Sequence, residues 1–329
     1  MKNDNCINDD DDDLLVLRSK SSQIGHNKFT LSHDVESLDD DLKSFYFLLK
    51  KENINIIDCK AKIKIDKKVY FSSAALSVRH GYYLGSKVAI IKYKIFNVTK
   101  YYNESEFYDF LKEAYILNQK IDCLFNFIGV WFHDGFCFFI TEFPSGTCLL
   151  DCYSNLAYNE KLDITIQIAE NYNKNPEINK ITLVASNVLI QNNNKIKFYR
   201  NWIAVSEHLK RKLGFHTDED SHTEKIQNKD IYFHPPEIYI DLGIVENLYS
   251  NVYSLGCIIT FIFSGQHPWT NKFNVNKVLK KMITSKEFII MENLPEEFRE
   301  LVKEMNVKNP DERKKMDEII KYLYTLYLK

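Results

Sequence analysis

The chain has 329 residues, of which 45% are apolar and 27% charged, with a formal net charge of −2. That balance describes a globular protein with enough chain for one large domain or two lobes, and it lacks the basic excess that nucleic-acid binding needs. Seven cysteines, odd in number and without a Cys-x-x-Cys pair, indicate neither a disulfide framework nor a zinc site and point to a reducing compartment. Ten glycines is a low count, and loops that cradle phosphate depend on that residue.

Residues 1–42 carry the acidic runs Asp9–Asp13 and Asp39–Asp41 with few apolar positions, which reads as a disordered acidic tail rather than a secretory signal. Leu42–Lys51 has the spacing of a short amphipathic helix. Residues 43–67 are taken as a bracing helix and linker. Lys68–Phe96 reads as three strands with turns at His80–Tyr83 and Gly85–Lys87. Ser105 suits the N-cap of a helix running to about Lys120. Phe125–Phe132 and Phe136–Glu142 read as two further strands. These elements, over 68–144, make a small five-stranded β lobe with one helix.

From 145 to 329 the chain turns mostly helical. Leu162–Asn171, Leu294–Met305 and Met316–Leu328 carry apolar stripes at helical spacing. Val252–Phe263 is apolar all round, which predicts a buried helix, and it is too short to insert into a membrane. Ile181–Trp202 holds two apolar runs around the Asn-rich turn Gln191–Lys195, the pattern of a β-hairpin. The fold class expected is therefore α+β in two lobes.

Seven short motifs then fall in one order. They are VAIIK at Val88–Lys92, Glu113 in its helix, FFITEF at Phe138–Phe143, SNVLI at Ser186–Ile190, HPPEI at His234–Ile238, NVYSLG at Asn251–Gly256 with its following HPW, and NPDER at Asn309–Arg313. Together they resemble the protein kinase fold over roughly residues 70–327. The resemblance implies a phosphate-binding lysine, a helix glutamate paired with it, a hinge, a catalytic loop, a metal-binding loop and a buried Glu–Arg pair.

Phosphoryl transfer requires phosphates held, metal held and a hydroxyl positioned. Set against the family pattern, the glycine positions of the phosphate loop hold Phe71, Ser73 and Leu76. Lys92 with Glu113 is expected as the retained ion pair. The other register keeps Ala89 in place, puts Ile91 at the lysine position and turns Lys92 away. Thr141 takes the gatekeeper position and Glu142 offers a carbonyl to adenine. Pro144 stands where the hinge should donate an N–H and has none. Lys180, Ile181 and Thr182 replace His-Arg-Asp, so Thr182 stands where the base should be, and Val184 replaces the catalytic lysine. Asn187 survives as a metal-side residue or a turn former. Arg200, Asn201 and Trp202 replace Asp-Phe-Gly, which puts the cation of Arg200 where Mg²⁺ should sit. Ser206, Thr217, Ser221 and Thr223 lie in the segment from Arg200 to Glu237 as candidate phosphosites or as parts of an exposed loop. Glu237 and Arg313 match the structural pair.

Architecture is kept and chemistry is lost, so the expected class is a pseudokinase with no metal and weak or no ATP/Mg binding. The pattern is similar to the tyrosine-kinase-like branch and, within it, to the mixed lineage kinase domain-like family. That resemblance implies protein binding in the cytoplasm, with a receptor-interacting kinase as partner and a block of necroptotic signalling as outcome. Abundant Asn, Ile and Lys mark an AT-rich genome, as in some large DNA viruses, and a truncated homologue of that kind would act as a decoy. An unorthodox active kinase binding ATP through Lys92 and Asn187 is the alternative.

Overall fold

The computed structural model describes residues 15–16, 40–58, 63–72, 76–93, 121–133, 136–180, 183–198, 231–240, 247–266, 268 and 293–328. The chain divides into two compact units. One comprises Met1–Lys120 with Asn126–Pro144, the other Ile121–Phe125 with Ser145–Lys329. The smaller unit ends at Pro144, and Ile121–Phe125 belongs with the larger unit. No helix among the described residues is long and apolar enough to cross a membrane.

The smaller unit is a sheet. Its elements are β1 (Leu15–Val16), α1 (Asp40–Lys51), β2 (Ile56–Ile57), β3 (Ile63–Ser72), β4 (Leu76–Tyr83), β5 (Ser86–Tyr93), β6 (Phe127–His133) and β7 (Phe136–Glu142). The strand order is β1-β3-β4-β5-β7-β6-β2. Five strands were expected and seven are found. Both additions are short edge strands from segments read as tail and linker. Edge strands leave backbone groups unpaired, and β2 satisfies part of the β6 edge by parallel pairing of Ile56 with Val130 and Ile57 with Trp131. The α1 helix anchors this addition, because Phe45 and Leu49 are fully buried and Phe45 meets Phe132 edge to face. The segment 43–67, read as a bracing helix and linker, holds most of α1, then β2 and the start of β3 at Ile63, so part of the expected linker is strand. His80–Tyr83, expected as a turn, is the second half of β4. The turn is Leu84–Gly85, with φ of 50° and 82°. The helix expected between Ser105 and Lys120 lies outside the described residues.

The larger unit contains β8 (Thr147–Cys148), α2 (Leu149–Cys152), α3 (Tyr158–Lys174), β9 (Val188–Ile190), β10 (Ile196–Phe198), α4 (Glu237–Ile240), α5 (Leu248–Ser264), α6 (Glu296–Met305) and α7 (Met316–Tyr327). Every residue of α5 from Ser250 to Ile262 is buried, as its all-round apolar sequence requires. It starts on an Asn247 cap whose Oδ1 accepts from the Ser250 N–H at 3.0 Å. Helices α3, α6 and α7 add their apolar stripes to the same core, through Leu162, Ile168, Phe298, Val302, Ile319 and Leu323 among others. Asn306, at the end of α6, donates to the Tyr253 carbonyl at 2.8 Å. A Cβ on Gly256 would collide with the Asn306 Oδ1, so glycine at 256 is what lets the Asn306 amide lie against α5.

Two consequences are measurable by denaturant unfolding. Leu84 is 81% exposed yet held in the left-handed region, which a hairpin of this kind normally gives to Asn or Gly. Leu84→Asn is therefore expected to raise stability by about 1 kcal/mol, and no gain would mean that the turn carries no strain. Gly256→Ala is expected to lose about 1–3 kcal/mol, the cost of overpacking a closed contact.

Candidate functional site

Side chains alternate along a strand, so the ladders decide what each residue of VAIIK faces. In β5, Ala89 pairs with His80 and Thr141, and Ile91 pairs with Val78 and Phe139. Val78, Ala89, Ile91 and Thr141 therefore share one face. Lys92 lies on the other, with Val88, Ile90, Phe138 and Ile140. Its ammonium sits 3.3 Å from the centroid of the Phe136 ring and 5.8 Å from that of Phe138, a cation–π position. This corrects the expected Lys92 register. Ala89 keeps the family's place beside Thr141, and the fully buried Ile91 takes the lysine position. The reason is hydrogen-bond register: one residue of offset moves a side chain to the opposite face. Glu113, the expected partner, lies outside the described residues.

At the end of β7, Thr141 is buried and its hydroxyl donates to the Glu142 carbonyl at 3.3 Å. Glu142 is tied to the start of β6. Its N–H donates to Asn126 O at 2.8 Å, and its Oε2 accepts from the Asn126 N–H at 3.1 Å. Pro144 closes the unit without an N–H.

In the larger unit the hairpin expected around the Asn-rich turn is present as β9 and β10, with Ile190 opposite Ile196 and Val188 opposite Phe198. Its turn closes through Gln191 N–H to Lys195 O at 2.8 Å and Asn194 N–H to Gln191 O at 2.9 Å. Gln167 of α3 fixes it from below. Its amide donates to Asn194 O at 3.0 Å and accepts from the Ile196 N–H at 3.1 Å. Asn187 sits just before β9, 4% exposed, in a short helical turn of Ala185–Asn187. Val184, at the catalytic-lysine position, is buried in the core.

Thr182 and Arg200 lie outside the described residues, but the frame around Thr182 is defined. Asn251 of α5 accepts from the Leu183 N–H at 3.2 Å and donates to the Asn179 carbonyl at 2.9 Å. One amide thereby clamps the loop on both sides of 181–182. A carboxylate at 251 would accept the first bond and repel the second carbonyl, so an amide suits this loop.

The Glu237–Arg313 pair is buried and bonded at both carboxylate oxygens. Nη1 meets Oε1 at 2.7 Å and Nη2 meets Oε2 at 2.8 Å. The Ser250 hydroxyl donates to the same Oε1 at 3.0 Å. The remaining guanidinium donors reach the carbonyls of Val307 at 2.9 Å, Tyr249 at 2.8 Å and Lys308 at 3.3 Å. Tyr253 lies under the guanidinium, 5.0 Å from ring centroid to Cζ. Among the described residues no group of three His, Cys, Asp or Glu side chains is placed to hold a metal ion.

The arrangement places Lys92 apart from Thr141, and it places Glu237 with Arg313. Sequence reading missed the bond pattern of Asn251 and the packing of His80 and Lys87 around Phe143. The Ala89–Thr141 pairing that places Ile91 is an inter-strand register, for which the local sequence holds no signal. The family model described as protein tyrosine and serine/threonine kinase matches residues 74–323. No curated protein matches the chain.

Removing one partner of a buried, fully bonded pair strands the other charge. Arg313→Met is expected to cost about 3–5 kcal/mol in urea unfolding. Arg313→Lys is expected to recover only part of that, because an ammonium lacks the planar fork. Equal stability of Arg313→Met and the parent chain would remove the pair from the account of the fold.

Proposed function

Because the chain belongs to the protein tyrosine and serine/threonine kinase family, we propose that it keeps the fold of that family without its phosphoryl-transfer chemistry and acts by binding another protein. The observation that carries this reading is the parity of β5, which sets Ile91 rather than Lys92 beside Ala89 and Thr141. An isoleucine offers no cation to a phosphate. The sequence adds independent losses. Pro144 has no N–H for adenine, Thr182 is not a base, and Arg200 carries a permanent positive charge where a divalent metal would have to bind. Weak or absent binding of Mg·ATP follows from these together.

On the resemblance to the mixed lineage kinase domain-like family, the partner we assign is a receptor-interacting kinase in the cytoplasm. Sequestering it would interrupt necroptotic signalling, the behaviour of a decoy.

Thermal melting with and without Mg·ATP tests the first step. A ligand at a hundredfold its Kd stabilises a folded chain by about 2.7 kcal/mol, so an ordinary nucleotide binder melts several degrees higher. Here the melt is expected to stay in place, with no phosphate incorporated, and Lys92→Met is expected to change neither result. A Mg-dependent rise together with autophosphorylation would make the chain an active kinase with displaced ligands and end the pseudokinase reading. Co-precipitation from host cells tests the partner. If no receptor-interacting kinase is recovered, the decoy assignment falls while the loss of catalysis stands.

A further inference from the structure

Phe143 follows the last residue of β7, and Pro144 after it is the final residue of the smaller unit. The Phe143 ring is held by two side chains. His80 of β4 meets it edge to face, with centroids 4.4 Å apart and planes at 82°. The Lys87 ammonium of β5 lies 4.0 Å from its centroid. Both reach the ring because of strand parity. His80 pairs with Ala89, Tyr82 pairs with Lys87, and Ala89 pairs with Thr141, so all project on the face that carries Thr141.

We propose that His80, Lys87 and Phe143 form a pH-sensitive latch, which holds the segment from β7 to Pro144 while His80 is neutral and releases it when His80 takes up a proton. A neutral imidazole and one ammonium share an aromatic ring without conflict. A second cation brought against the same ring is repelled by the Lys87 ammonium and loses hydration there. Around His80, Lys87 of β5 and Lys68 of β3 oppose its protonation and Asp66 of β3 favours it. Glu142 of β7 does not tip the balance, because it lies on the opposite face and its carboxylate accepts the Asn126 N–H. Arg79 of β4 has the opposite parity as well.

Burial first, and then Lys87, lower the His80 pKa below the ordinary histidine value. The Phe143 ring packs against His80 and supplies part of that burial, so its release relieves that part and the latched form binds the proton more weakly. Its stabilisation is complete above the ordinary value of about 6.5 and is lost as pH falls from there through the lowered pKa. Release on acidification, rather than on alkalinisation, is the required sign.

The test places 4-fluorophenylalanine at position 143 of the full chain and follows its ¹⁹F signal between about pH 5 and 8, with far-UV circular dichroism confirming that the fold persists. The expected result is one step with a midpoint below about 6.5. His80→Gln should abolish the step. Lys87→Met should move the midpoint upward. The proposal is overturned by a step that survives in His80→Gln, by a signal of the parent chain that does not move, or by a midpoint that Lys87→Met leaves where it was. None of these outcomes depends on whether the chain binds nucleotide.

Discussion

The bidentate pair of Glu237 and Arg313 is the contact on which the larger unit is assembled. Two charges leave water together, and that is tolerable only when every remaining donor and acceptor finds a partner. Here Ser250, three backbone carbonyls and the face of Tyr253 complete the set. The pair joins the segment ahead of α5, the first turns of α5 and the loop between α6 and α7, three stretches far apart in sequence. Asn251, one residue after Ser250, then clamps the loop around 181–182. A buried ion pair and a loop anchor thus arise from one turn of one helix.

The smaller unit depends on a different constraint, the two-residue period of its strands. That period decides which side chains of β5 stand beside Thr141. Isoleucine rather than lysine does so, and the lysine spends its charge on the ring of Phe136. A cation lying against an aromatic face stabilises the sheet without being offered to a ligand. The same period brings His80 and Lys87 to Phe143. A site for phosphate and a latch at the end of β7 are therefore alternative uses of one face, and the residues present favour the second.

Which residues the fold depends on follows from where each one sits. Glu237, Arg313, Gly256 and the apolar stripes are enclosed, so changing them costs the fold. Ile91 stands where the resemblance expects a lysine, and it packs there as a fully buried core residue. Val184 is likewise buried in the hydrophobic core of the larger unit.

The sequence by itself determined the α+β division, the strands β6 and β7, the buried α5, the β9–β10 hairpin and the Glu237–Arg313 pair. Each rests on local period, turn chemistry or a motif of fixed spacing, which are properties of contiguous residues. Only the tertiary structure decided the side on which Lys92 lies, the two edge strands drawn from apparent tail and linker, and the packing around Phe143. These depend on inter-strand register and on partners distant in the chain. Local sequence constrains register only within an alternation that Ala89-x-Ile91 and Ile90-x-Lys92 satisfy equally well, and the ladder with β7 breaks that tie.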